Sequence, residues 1–316
     1  MTSALGLDRG SVVTIGTFDG VHIGHRAVLA EITRRAAGSG RASAVVTFEP
    51  HPLEVVNPSA APPLLSPGDE RLEALAETSV DHVLVLRFTP ALAALTPDEF
   101  VNRVLLRQLG MRELVIGHDH GFGRNRSGDV GTLRALGAQL GFDVDVVEAV
   151  GAGDLQVSSS RIRRAIAGGD LATAALMLGR RYAVSGTVSH GAGRGGSLGV
   201  PTANLAGIPT RKLLPPDGVY AVVVETRHGA YGGMLNQGGR PTFAEQGRTL
   251  EAHLFGFHGS LYGERVRLSW VVRLRDTRAF ASREDLISQL ARDRANALAA
   301  LDAAGVQGLN SFAEDD

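Results

Sequence analysis

Two hydrophobic rhythms divide this chain of 316 residues, and each permits only one kind of sheet. Through the first half, short β-branched runs alternate with helical periodicity. The strand-like runs are residues 12–16, 42–48, 82–88, 113–117 and 143–150. Helical patterns cover 24–37, 69–78, 97–109 and 131–140, the third opened by Thr96 as N-cap and Pro97 at the first helical position. Strands separated by helices on this scale predict a parallel sheet covered on both faces. Residues 50–67, rich in proline and alanine, read as a long loop.

The second rhythm begins after two short helical patterns, 158–167 and 170–178. Strand-like runs at 182–189, 218–226, 230–235, 249–257 and 265–274, several separated by glycine-rich turns, predict an antiparallel barrel. A last helix is expected over about 283–301, with Ser282 and Asp285 at its start. The length suits two cores. The expected fold class is therefore α/β, with a parallel-sheet domain over 1–182 and an antiparallel β-barrel domain with a terminal helix over 183–316.

Charge and composition remove several function classes. A net charge of −1 gives no basic field, so no nucleic-acid partner is expected. Cysteine is absent, which excludes disulfides, thiolate metal sites and a cysteine nucleophile. Residues 1–9 lack a signal-peptide pattern and no stretch has membrane-spanning length, so no membrane association and a cytoplasmic location are expected. Lys212 is the only lysine and follows no glycine, so a P-loop is excluded. Oligomerisation stays open.

Chemistry-bearing residues collect where the first-half strands end. His22 and His25 follow the first strand at the mouth of a helix, whose free N–H groups and dipole suit phosphate. Taken alone, this pair fits a capped helix start with one packed and one surface histidine. Three further clusters follow other strands: Pro50-His51-Pro52, the run from His118 to Asp129, and Ser158-Ser159-Ser160-Arg161 at a helix start. In open α/β sheets the ligand crevice lies at these carboxyl ends.

Two features stand out in the second half. A glycine loop, Gly191 to Gly199, leads into Val200-Pro201-Thr202-Ala203-Asn204. Its backbone N–H groups could cradle phosphate, and Thr202 and Asn204 offer neutral oxygens suited to Mg²⁺. Alternation places Glu251, His253, Phe255 and Phe257 on one strand face. Glu251 is then a solvated strand edge or a general base at a barrel mouth, and spacing alone favours the former.

Four strings in the first half resemble the adenylyltransferase half of bacterial bifunctional riboflavin kinase/FAD synthetases. They are Thr17-Phe18-Asp19-Gly20-Val21-His22-Ile23-Gly24-His25, Thr47-Phe48-Glu49-Pro50-His51-Pro52, Gly121-Phe122-Gly123-Arg124-Asn125-Arg126-Ser127-Gly128-Asp129 and Ser158-Ser159-Ser160-Arg161-Ile162-Arg163. Leu198-Gly199-Val200-Pro201-Thr202-Ala203-Asn204-Leu205, Pro216-Asp217-Gly218-Val219-Tyr220, the run Asn236 to Thr242, Glu251-Ala252-His253-Leu254 and Leu261-Tyr262-Gly263 resemble the family's riboflavin kinase half.

The resemblance implies a Rossmann-like nucleotidyltransferase domain followed by a riboflavin kinase barrel, which convert riboflavin to FMN and FMN to FAD with ATP and Mg²⁺. It implies catalytic roles for His22, His25 and Arg161 in adenylyl transfer and for Glu251 as kinase base. Nucleotide or flavin contacts are implied at Gly16, Phe18, Gly20, Gly24, His51, Asp119, Phe122, Arg126, Asp129, Ser159, Ser160 and Arg163. In the second half they fall at Gly191, Gly193, Pro201, Asn236 and Arg240, with Thr202 and Asn204 on Mg²⁺. The chain departs from the family at His118 and His120, where an acidic residue and an aromatic are usual. It also carries Gly196 for a basic residue, Val200 for phenylalanine and Gln237 for isoleucine. The alternatives are a single-activity riboflavin kinase with an impaired adenylyltransferase half, or a non-catalytic flavin-binding regulator.

Overall fold

The computed structural model describes residues 7, 9–117, 129–148, 151–152, 155–190, 202–239 and 248–306. They form two compact units, Met1–Arg161 and Ile162–Asp316.

In the first unit β1 (Ser11–Ile15), β2 (Ala42–Glu49), β3 (His82–Arg87), β4 (Met111–Gly117) and β5 (Asp143–Val147) form a parallel sheet in the order β3-β2-β1-β4-β5. The order reverses between β1 and β4, the point where such sheets open a ligand crevice. Period-two alternation sends Val13, Ile15, Ala44, Val46, Leu114 and Ile116 to one face and Val12, Val45 and Val115 to the other. Helix α1 (Ile23–Ser39) covers the second face with Leu29, Ile32 and Ala36. Both faces of β1 are covered, which is why all five of its residues are buried, Ser11 and Thr14 included.

The proline-rich stretch after β2 is not the bare loop expected. It contains α2 (Pro52–Val56) and a 3-10 turn, Pro58–Ala60. His51 caps α2 by accepting from Leu53 N at 3.2 Å, and its own N–H donates to Glu54. Next come α3 (Asp69–Ala76) and α4 (Pro90–Ala93). The helix expected over 97–109 is interrupted: α5 (Pro97–Phe100) passes into a π-turn, Val101–Leu106, then α6 (Arg107–Leu109). That segment and α7 (Val130–Leu140) cover the first sheet face. Arg35 of α1 binds Glu31 at 2.6 Å and also pairs with Glu113 of β4 and Asp145 of β5.

A short hairpin, β6 (Gly151–Ala152) and β7 (Leu155–Gln156), precedes α8 (Ser159–Ala167) and α9 (Leu171–Leu178). The second unit then closes a six-stranded antiparallel barrel in the order β10-β11-β12-β9-β8-β13. Its strands are β8 (Ala183–Ser189), β9 (Ala203–Ala206), β10 (Gly218–Thr226), β11 (Gly229–Gly239), β12 (Arg248–Leu254) and β13 (Arg265–Arg275). Helix α10 (Arg283–Ala303) packs Ala297 and Leu301 on Ala221, Val223, Met234 and Phe255, which therefore mark the outer wall. Asp293 of α10, fully buried, accepts three hydrogen bonds of 2.7–3.1 Å from Arg275 of β13.

Candidate functional sites

In the first unit Gly16 still donates to the ladder, through Val46 O at 3.0 Å, before the backbone turns sharply. Phe18 and Val21 sit at φ 49° and 38°. These are left-handed values that a β-branched valine adopts only when its surroundings force it. His22 follows in extended conformation as N-cap of α1, its Nδ1 accepting from His25 N at 3.3 Å. That bond places the ring proton on Nε2. The His22 and His25 rings stack 3.6 Å apart at 14°, and Phe18 tilts against His25 at 5.0 Å. Gly24 makes room for the stack, since a Cβ there would lie 3.3 Å from His22 Cε1 and Nδ1. Two imidazoles thus stand over a helix N-terminus, an arrangement suited to phosphate oxygens.

Asp19, which the sequence marked only as part of the motif string, holds this loop. Its carboxylate is 1% exposed and accepts from Leu65 N at 2.9 and 3.0 Å and from Ser66 N at 2.9 Å. Gly20 N donates to Ser66 Oγ at 2.7 Å. From the other side Ser159 Oγ donates to Asp19 O at 3.0 Å, bringing the serine cluster to the histidine loop. At the same helix start Ser158 Oγ accepts from Arg161 N at 3.4 Å, and the exposed Arg161 guanidinium donates to Gln156 O at 3.1 Å. Ser160 is exposed and Arg163 half-buried on the same helix. His51 lies at the carboxyl end of β2, where it caps α2. Asp129 opens α7, and the N–H of Thr132 at 2.8 Å holds its carboxyl below the ordinary range. Asp119, Phe122 and Arg126, with His118 and His120, lie outside the described residues.

The barrel aligns its polar residues by register. Glu251 of β12 stands opposite Asn236 of β11 on one side and Asn204 of β9 on the other, and Asn204 faces Ser189 of β8. Opposed residues on antiparallel strands point the same way, here to the outer wall that Phe255 shares. Asn204 is 9% exposed, Glu251 half-buried and Asn236 open. Thr202 lies just before β9, two positions ahead of Asn204. Among the described residues, none of the Thr202, Asn204, Asn236 and Glu251 side chains forms a hydrogen bond or ion pair, which leaves their oxygens for a ligand. Gln237 points the opposite way and is fully buried, donating to Pro215 O at 2.6 Å and Pro216 O at 3.2 Å. Gly191, Gly193, Gly196, Val200, Pro201 and Arg240 lie outside the described residues.

Comparison with known proteins follows this division. A FAD synthetase family model matches residues 6–161, and a riboflavin kinase family model matches residues 178–301. The chain belongs to the bifunctional riboflavin kinase/FMN adenylyltransferase family. Relatives of that name are 41% identical in Pseudomonas fluorescens, 39% in Escherichia coli K12 and 33% in Bacillus subtilis. These alignments cover 91–92% of this chain and 92–93% of each relative. A crystal structure described as a macrolide-efflux protein from Streptococcus pneumoniae is 30% identical and superposes with a TM-score of 0.82. It covers 94% of this chain and 95% of its own. The chain is thus a bifunctional enzyme of FAD biosynthesis, with adenylyltransferase and riboflavin kinase halves in one polypeptide.

Proposed function

We propose that residues 183–316 phosphorylate riboflavin and that residues 1–182 adenylylate the resulting FMN, each with ATP. The observation that carries the kinase assignment is Glu251 paired in register between Asn204 and Asn236, its carboxylate without a hydrogen bond or ion pair among the described residues. As general base, Glu251 takes the proton of the riboflavin 5′-hydroxyl while its oxygen attacks the γ-phosphorus of ATP and ADP departs. Asn236 lies beside that base, positioned to orient the flavin.

Thr202 and Asn204 fit a hard cation. They offer neutral oxygens, and among the described residues no group of three His, Cys, Asp or Glu forms a metal cage. A cation with two such ligands takes its remaining ones from phosphate and water, the habit of Mg²⁺. When bound, Mg²⁺ would neutralise phosphate charge. We assign Gly191, Gly193, Pro201 and Arg240 to ATP and flavin binding in this half.

In adenylyl transfer the FMN phosphate oxygen bonds to the α-phosphorus of ATP, the bond to the bridging oxygen breaks, and pyrophosphate leaves. No proton need move and no covalent enzyme intermediate forms. His22, through Nε2–H, and His25 donate to the α-phosphate as charge builds there. Ser159, Ser160, Arg161 and Arg163 receive the pyrophosphate at the start of α8. Gly16, Phe18, Gly20 and Gly24 shape the ATP loop, while His51, Asp119, Phe122, Arg126 and Asp129 line the nucleotide and flavin crevice.

The proposal includes a cytoplasmic setting without a nucleic-acid or membrane partner. Among the described residues no helix is long and apolar enough to cross a membrane. Titrating Mg²⁺ into the chelator-treated enzyme tests the metal assignment. Asn204→Ala should raise the Mg²⁺ concentration needed for FMN formation and leave that for FAD formation unchanged. An unaltered requirement in both reactions would remove Asn204 from the cation site.

A further inference from the structure

Arg71 has no place in the chemistry above, yet it is a buried cation beside the adenylyl-transfer loop. It sits in the first half of α3, only 3% exposed. One guanidinium nitrogen donates to Thr17 O at 3.3 Å and another binds Glu49 at 2.6 Å. Thr17 lies just before the strained Phe18, and Glu49 ends β2 just before His51. The guanidinium therefore ties the loops that leave β1 and β2 at their carboxyl ends. Its Nε is buried without a hydrogen bond among the described residues. Burying a charge this deeply is costly, and a buried group left partly unsatisfied calls for a reason beyond packing.

The same stretch of chain supplies the second tie. Leu65 and Ser66 hold the Asp19 carboxylate, and Ser66 Oγ takes the N–H of Gly20. Residues 65–71 thus grip the loop at Thr17, Asp19 and Gly20, bracketing Phe18. Left-handed conformations at Phe18 and Val21 are strained and persist only where the surroundings over-determine them.

We propose that residues 65–71 form a brace that pre-organises the histidine loop for adenylyl transfer, with Arg71 as its positioning residue acting through Thr17. This rests on the adenylyl-transfer reading of His22 and His25. A brace of this kind serves the transition state more than ground-state binding, because it fixes where the imidazole donors point.

The test uses the full chain, which carries its own control in the kinase half. FAD formation from FMN, ATP and Mg²⁺ and FMN formation from riboflavin are measured for Arg71→Met, Arg71→Lys and Ser66→Ala, with thermal unfolding alongside. Arg71→Met should lower kcat for FAD formation by about 10-fold or more while KM for ATP stays within about threefold. FMN formation should not change. Arg71→Lys should restore part of the loss, since an ammonium keeps the charge but cannot span both partners. A lower Tm with kcat for FAD formation unaltered in Arg71→Met would reduce the brace to a stability element and overturn the proposal. Should Arg71→Met not fold, Ser66→Ala decides: a selective fall in the same kcat supports the brace, and an unchanged value refutes it. If the unsubstituted chain makes no FAD, the adenylyl-transfer reading fails and the brace with it. If His25→Ala alone stops FAD formation, the reading stands while the brace is judged separately.

Discussion

Glu251 faces Asn204 directly across the ladder between β12 and β9, so a carboxylate and a buried amide share one face of the barrel. Neither side chain forms a hydrogen bond or ion pair among the described residues, which suits the proposed roles of base and cation ligand. Glu251→Ala should abolish FMN formation and leave FMN-to-FAD conversion intact. Separate assays with riboflavin and with FMN as substrate check this, with Glu251→Gln as an isosteric companion.

The stacked imidazoles lead to the converse expectation. His25→Ala should lower FAD formation by about 100-fold or more, the scale of losing one transition-state donor, with FMN formation unaffected. Loss of both activities in a folded variant would contradict the assignment of one chemistry to each half.

Gly24 offers a subtler perturbation of the same site. A methyl group there would meet the His22 ring at 3.3 Å, closer than most Cβ contacts, so the ring must shift. Gly24→Ala should fold and should lower kcat for FAD formation about 10-fold through misplacement. Steady-state kinetics on FMN and ATP report it.

Acid should weaken the first unit at Glu31. Hydrogen bonds from Arg34 and then Arg35 hold its carboxyl at about 2, below its ordinary 4.5. A depressed carboxylate stabilises the fold fully above the unfolded value, and that contribution fades as pH falls from about 4.5 toward 2. Urea midpoints between pH 5 and pH 2 should fall, and the fall should be shallower in Glu31→Gln. Equal slopes would show that other carboxylates carry the acid response.

The pairing of Asp293 with Arg275 is a matter of stability. Asp293→Ala should destabilise the barrel unit by about 3 kcal/mol, because it leaves a guanidinium without its buried counter-charge. Denaturant unfolding gives the number, and a double substitution with Arg275→Met should recover part of it.

Much of this fold could be read before any coordinates. The β1–α1 unit follows from a β-branched run, a glycine-bearing turn and a helical pattern, all local signals. The barrel followed from period-two runs between glycine-rich turns, yet β9, four residues long beside a glycine loop, has too little alternation to announce itself. The helix in the proline-rich stretch escaped notice because its cap is an imidazole, not the hydroxyl or carboxylate that usually signals a start. Sequence alternation assigned Glu251 a face but not its neighbours, since strand pairing between distant segments decides those. Arg71 left no signal: an arginine on a helix reads as solvated until the chain packed around it is known.

One incubation tests the central claim most directly. The full chain with riboflavin, ATP and Mg²⁺, followed by chromatography of the flavins, should show FMN rising first and FAD replacing it, with ADP and pyrophosphate formed in step. FMN accumulating without FAD, or flavin bound with no ATP consumed, would contradict the account of two consecutive reactions in one chain.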